Sequence, residues 1–160
     1  MQMQTEQQSW MAKAVQLALE NVLKSHGGPF GAIVVKNGQI VGTGSNEVTA
    51  TNDPTAHAEV QAIRDACRRL GTFQLTECEL YTSCEPCPMC LGAIYWARPK
   101  AVYYACTKQD AAEIGFDDQF IYEQIGVPLE NRTIPFIRIQ PDRYRSPFET
   151  WAQSQNKIEY

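Results

Sequence analysis

Two segments, His57-Ala58-Glu59 and Pro86-Cys87-Pro88-Met89-Cys90, constrain this chain more than any other feature. Together they supply three side chains that ligate zinc (His57, Cys87 and Cys90) and one carboxylate, Glu59, that is not needed as a ligand. A structural zinc site closes its coordination with four protein groups, whereas a catalytic site keeps one position open for water. Any fold the chain adopts has to carry both segments to one point.

Local signals put both segments at helix starts. Asp53-Pro54 marks a turn, and Thr55 offers a cap for a helix over about residues 56–70, with Val60, Ile63, Cys67 and Leu70 on one apolar face. Cys87 and Cys90 fall in the first turn of a further helix, which carries Leu91 and Ile94 on the same stripe and ends at Arg98-Pro99. Free N–H groups and a partial positive charge at a helix N-terminus favour thiolate over thiol. Two thiolates make half of a tetrahedral site, neutral His57 supplies the third ligand, and water can take the fourth position. Two thiolates also cancel the ion's formal charge, so it acidifies water less than a three-histidine site does. A nearby base is then useful, and Glu59 is the natural proton shuttle.

Other assignments of these residue types are weaker. His26 stands in a Gly-rich turn with no ligand-like neighbours and reads as a surface residue. Cys84 belongs to a strand end rather than to the helix turn, and reads as a buried thiol near the site. Cys67, Cys78 and Cys106 read as core. A ferredoxin-type cluster needs a fourth cysteine followed by proline, and Leu91-Gly92-Ala93-Ile94 stands there instead. Six cysteines could form three disulfides, but a chain of 160 residues needs no such staples.

With 44% hydrophobic and 20% charged residues, the composition is that of a globular domain. The net charge of −4 argues against a protein that tracks nucleic acid. Its densest basic cluster, Arg64, Arg68 and Arg69, reads as a solvated helix face. No apolar run reaches the about 18 residues of a membrane span. Residues 1–8 are polar and lack the layout of a signal peptide, which points to the cytoplasm.

A first helix follows Thr5-Glu6-Gln7-Gln8, which resembles a capping box, and stops at Gly27-Gly28-Pro29. Apolar runs over residues 32–35 and 40–43 flank Asn37-Gly38, a hairpin signal. Residues 80–82 and 101–105 read as strands, 117–125 as a helix, 134–139 as a strand with Pro135 suited to an edge, and 146–157 as a terminal helix. Strands alternating with helices after a hairpin give an α/β fold, a mixed sheet covered on both faces, in a single domain over residues 1–160.

The spacing H-x-E followed by P-C-x-x-C is that of the zinc-dependent nucleobase and nucleoside deaminases. Residues 52–59, 83–99 and Gly115-Phe116-Asp117-Asp118, with the closing Tyr160, resemble the bacterial guanine deaminase family of the cytidine deaminase superfamily. The resemblance implies a three-layer α/β/α sandwich, one zinc ion per chain, and hydrolysis of a small-molecule purine, guanine, to xanthine and ammonia. It also implies a homodimer in which the C-terminal segment, about residues 141–160, crosses to the partner and covers the site. In this likeness Phe30 stacks on the purine, Asn46 bonds its edge, the backbone N–H of Ala58 binds its oxygen, and Asp118 and Tyr160 reach the other edge. Taken alone, Phe30 could be a core aromatic, Asn46 a turn residue, Asp117 and Asp118 helix-start acids, and Tyr160 a frayed end.

Three other readings carry tests of their own. A tRNA adenosine deaminase shares part of the zinc motifs and calls for a basic groove. A deaminase of guanosine or another aminated heterocycle calls for a differently shaped pocket. A non-catalytic zinc-stabilised domain has no use for Glu59.

Overall fold

The computed structural model describes residues 2–160, and the chain divides into two compact units, Met1–Gln119 and Phe120–Tyr160. A four-stranded mixed sheet in the order β2-β1-β3-β4 organises the first unit. Strands β1 (Gly31–Lys36) and β2 (Gln39–Ser45) form the predicted antiparallel hairpin. Its turn residues Asn37 and Gly38 have φ of 50° and 70°, a two-residue turn whose twist matches that of the strands. Strand β3 (Glu79–Cys84) pairs antiparallel with β1 and parallel with β4 (Ala101–Cys106). Parallel neighbours need a crossover, and the helix Pro88–Ala97 lies within it.

Strand alternation sends side chains into two separate cores. Ala32, Val34 and Leu80 pack with Ala58, Ala62 and Ala66 of the helix Ala58–Leu70 and with Ile94 and Ala97 of Pro88–Ala97. Ile33, Val35 and Tyr81 pack instead with Trp10, Met11, Ala14 and Leu17 of α1 (Gln2–Leu23). Helices on opposite faces of the sheet make the expected three layers.

Two short helices lie outside the predicted elements: α2 (Val48–Thr51) and α5 (Lys108–Glu113). Between them run α3 (Ala58–Leu70) and α4 (Pro88–Ala97). The Thr5–Gln8 segment lies inside α1 and does not cap it, whereas a capping box does open α5, between Thr107 and Asp110. Thr55 is not the cap of α3. Its N–H and hydroxyl both donate to Asp53 Oδ1, at 2.8 and 2.7 Å, and His57 occupies the N-cap position.

Helix α3 approaches β2 backbone to backbone. A Cβ at Gly42 would stand 2.6 Å from the Ala62 carbonyl oxygen, and one at Gly44 would stand 2.2 Å from that of Ala58. The facing stripe is therefore alanine: Ala58, Ala62 and Ala66 are each 0% exposed. The predicted face of Val60, Ile63, Cys67 and Leu70 is only half-buried and flanks that stripe. Asp65 adds a polar tie to β2: its Oδ2 accepts the Thr43 N–H at 3.1 Å and pairs with Arg69 at 2.9 Å, while Oδ1 pairs with Arg68 at 2.7 Å. Those two arginines are solvent-facing, as predicted for the basic cluster.

In the second unit, α6 (Gln119–Gly126) follows close to its predicted position, then a single 3-10 turn, Leu129–Asn131, and α7 (Ser146–Gln153). The strand expected over residues 134–139 does not form. An apolar run becomes a strand only with a partner to bond, and Ile134, Ile137 and Ile139 are 73%, 79% and 81% exposed. No helix among the described residues is long and apolar enough to cross a membrane.

Candidate active site

Pro88 determines where α4 begins. A residue before proline is pushed out of the helical region, and proline itself is favoured at the first helical position. Cys87 accordingly takes an extended conformation (φ −67°, ψ 169°) at the N-cap, and Cys90 lies in the first turn. At the start of α3, His57 is likewise an extended N-cap residue, and its side chain makes no capping bond, which leaves the imidazole to face the cysteines.

The three predicted ligands come together. His57 Nδ1 lies 3.5 Å from Cys87 Sγ and 3.5 Å from Cys90 Sγ, and the three ligand atoms fall within 4.8 Å of one another. Zinc–sulfur and zinc–nitrogen bonds of about 2.3 and 2.0 Å at a tetrahedral angle put sulfur and nitrogen about 3.5 Å apart. The donor set and its spacing therefore fit a tetrahedral zinc ion with one position not filled by these three side chains.

Glu59, in the first turn of α3, is 6% exposed, and its Oε2 lies 3.4 Å from Cys90 Sγ. Burial pushes its carboxyl above the ordinary carboxylate range. The Cys87 thiol is lowered to about 4, because it accepts from the Cys90 thiol and lies beside His57. Cys90 moves the opposite way for the same reason, as the donor to Cys87, and burial adds to the rise. His57 is raised by its bond to Cys87. Binding a divalent cation at these thiol and imidazole groups displaces their protons.

Cys84 is buried 6% exposed at the end of β3 and donates its S–H to the Thr107 carbonyl at 3.6 Å, with burial raising its thiol to about 12. It stands outside the three-ligand group, as read from the sequence. Cys78 is core and Cys67 half-buried, but Cys106 is exposed: it ends the edge strand β4, whose outer residues have no further strand beside them. His26 is at the surface, 3.8 Å from Glu47.

The predicted substrate contacts fall in two groups. Phe30 is half-buried, and the Phe116 ring meets it edge-on, with centroids 5.0 Å apart at 89°. Asn46 is 7% exposed and accepts from the Gly28 and Val48 N–H groups, both at 3.3 Å. Ala58 is the first residue of α3, so its N–H has no partner inside the helix. Asp118 is half-buried; burial and the nearby negative charge of Cys87 both raise its carboxyl. Asp117 is exposed and accepts the Gln119 N–H at 2.9 Å, a local turn role. Tyr160 closes the second unit and is 69% exposed. The contacts of two residues are not legible in the sequence. The Phe116 ring braces Phe30, which no periodicity signals. Asn21 of α1, which carries no motif, donates to the Gly28 and Asn46 carbonyls.

Residues 4–106 match the cytidine and deoxycytidylate deaminase zinc-binding region. The chain is 60% identical to the guanine deaminase of Bacillus subtilis (strain 168) over 153 residues, 96% of this chain and 98% of that protein. An X-ray structure of guanine deaminase from Bacillus subtilis superposes with a TM-score of 0.93 at 59% identity, covering 96% of this chain and 98% of the other. The tRNA-specific adenosine deaminase of Aquifex aeolicus (strain VF5) is 49% identical over 77 residues, 48% of this chain and 51% of that protein.

Proposed function

This chain belongs to the cytidine and deoxycytidylate deaminase family, and from that premise we propose that it is a zinc-dependent hydrolase converting guanine and water to xanthine and ammonia. One observation carries the chemistry: His57, Cys87 and Cys90 converge at zinc-binding distances with the buried Glu59 carboxylate against them. Identity of 60% across nearly the whole chain supports guanine as the amine.

Zinc held by His57 Nδ1 and the two thiolates supplies Lewis-acid activation of a water molecule. Glu59 moves the protons. It takes one from the water that attacks the amine-bearing carbon of guanine and delivers it to the adjoining ring nitrogen. It then carries a second, from the new hydroxyl, to the amine, which leaves as ammonia. The Ala58 N–H donates to a substrate oxygen. Phe30 stacks on the purine face, its own ring held by the edge of Phe116. Asn46 bonds one edge, and Asp118 takes N–H groups of the other, an edge that Tyr160 reaches from the partner. Guanine offers donors along that edge, and an ionised carboxylate accepts two of them.

The reading extends to a cytoplasmic homodimer in which residues 141–160 cross to the partner as part of one deaminase domain. Large apolar side chains support an interface: Tyr95 and Trp96 on α4 are 75% and 61% exposed, and Phe148 on α7 is 79% exposed. Glu59→Gln tests the mechanism. It keeps the shape and the zinc but cannot accept a proton, so kcat for guanine is expected to fall by about 10²- to 10⁴-fold with zinc content unchanged. Near-normal turnover by that variant would remove Glu59 from the proton path.

A further inference from the structure

Asn21 lies near the end of α1, is 5% exposed, and spends both hydrogens of its side-chain amide on backbone carbonyls. Nδ2 donates to the Asn46 carbonyl at 2.8 Å and to the Gly28 carbonyl at 2.9 Å. A buried amide is retained when its bonds are satisfied, and here the two acceptors belong to different segments. One segment leads to Phe30. The other carries Asn46.

Further bonds stitch the same two segments together. The Phe30 N–H donates to the Gly28 carbonyl at 2.9 Å, and the Asn46 N–H donates to the Phe30 carbonyl at 3.1 Å. Asn46 Oδ1 accepts from the Gly28 and Val48 N–H groups. Only the oxygen of an amide can accept from N–H donors, so the orientation of the Asn46 side chain is fixed. Its Nδ2, which bonds no acceptor among the described residues, is left as a donor. The segments also touch directly at Gly27, where a Cβ would stand 2.1 Å from the Asn46 carbonyl oxygen and 3.1 Å from Asn21 Nδ2. No larger residue fits beneath this clamp.

We infer that Asn21 is a positioning residue for purine recognition, which through its two carbonyl bonds sets the Asn46 amide at a fixed offset from the Phe30 ring. The inference rests on the proposed assignment of Phe30 and Asn46 to the purine pocket. It adds a residue of the outer helical layer that touches neither zinc ligand nor base. Because the Asn46 donor acts on bound substrate before and during the reaction, loosening it weakens binding in both states, an effect carried by KM more than by kcat.

The test is a double-mutant cycle on the full-length, zinc-loaded protein, using Asn21→Ser, which keeps one donor, and Asn21→Asp, which sets a carboxylate against two carbonyls. In the wild-type background, either change is expected to lower kcat/KM for guanine by about tenfold or more, chiefly through KM, with zinc per chain unchanged. In an Asn46→Ala background, Asn21→Ser is expected to reduce kcat/KM by less than about twofold, because the group it positions is gone. An equal loss in both backgrounds, or no loss in either, would overturn the inference, as would a fall confined to kcat with loss of zinc. If Asn21→Asp does not fold, Asn21→Ser decides. A wild type that fails to turn over guanine refutes the proposed substrate instead, and the cycle is then read on the aminated heterocycle that does release ammonia.

Discussion

His57 and Cys87 share a structural solution. Each occupies an N-cap, an extended position just outside a helix, where a side chain points away from the helical rod. Serine, threonine, aspartate and asparagine are preferred there because they bond the free N–H groups, and replacing such a cap with a poor one costs about 0.5–2 kcal/mol. At His57 that bond is forgone, and the imidazole faces Cys87 and Cys90 instead. The spacing of these residues made the ligand set legible, since Pro88 and helical periodicity are local properties. The proposed role of Asp118 rests on resemblance alone, because an acid before a helix has many ordinary uses. Its neighbour Asp117 takes one of them, on the Gln119 N–H. Hydrogen bonds to a charged group contribute about 1.5–3 kcal/mol, so Asp118→Asn is expected to lower kcat/KM for guanine by about 10- to 100-fold with zinc retained. Steady-state kinetics beside metal analysis measure this, and unchanged guanine kinetics would take Asp118 out of the pocket.

The contact between α3 and β2 holds His57 and Glu59 in place, and it is built from absences. Gly42 and Gly44 leave room, alanine fills it, and the buried Asp65 ties the two elements across the Thr43 N–H. Burial alone would raise the Asp65 carboxyl, but the Thr43 N–H, Arg69 and Arg68 outweigh it and hold it below the ordinary aspartate range. A depressed folded-state pKa gives stability that is present above the unfolded value of about 3.9 and is lost as pH falls through the folded one. Asp65→Asn is expected to destabilise the zinc-loaded protein by about 1–3 kcal/mol at neutral pH. The gap from wild type should narrow below about pH 4, and comparing the two proteins cancels acid release of zinc common to both. Urea unfolding across pH measures it; a gap that stays constant into acid would contradict the tie. The same elements show what sequence reading resolves. The hairpin and α4 follow from turn and breaker residues close in sequence, and α3 from the Asp53-Pro54 turn before it, although Thr55 does not cap it. The alanine stripe did not stand out, because periodicity weights large side chains and the glycines that select alanine lie on another element. Residues 134–139 read as a strand on composition, but pairing is a non-local property.

At the scale of the whole molecule, the zinc centre and the proposed substrate contacts make separate claims about function. The centre is common to deaminases of several amines, so it leaves guanine, adenosine in tRNA and other aminated rings open. What narrows the choice is the remainder of the chain, which is 60% identical to a bacterial guanine deaminase over 96% of its length. Exchange of the C-terminal segment can be examined by complementation between two defective chains. Glu59→Gln and a chain lacking Tyr160 are each expected to be impaired alone. If Tyr160 acts across the dimer, co-assembled chains contain one intact site per mixed dimer, and guanine turnover recovers measurably. Absence of recovery in demonstrably mixed dimers would place Tyr160 on its own chain's site. The substrate itself is decided by ammonia release from guanine, guanosine, adenine, cytosine, cytidine and a tRNA anticodon hairpin, each offered at equal concentration to the zinc-loaded protein. Guanine is expected to be the preferred substrate, yielding one xanthine per ammonia; inactivity on guanine with turnover of any other member would contradict the assignment.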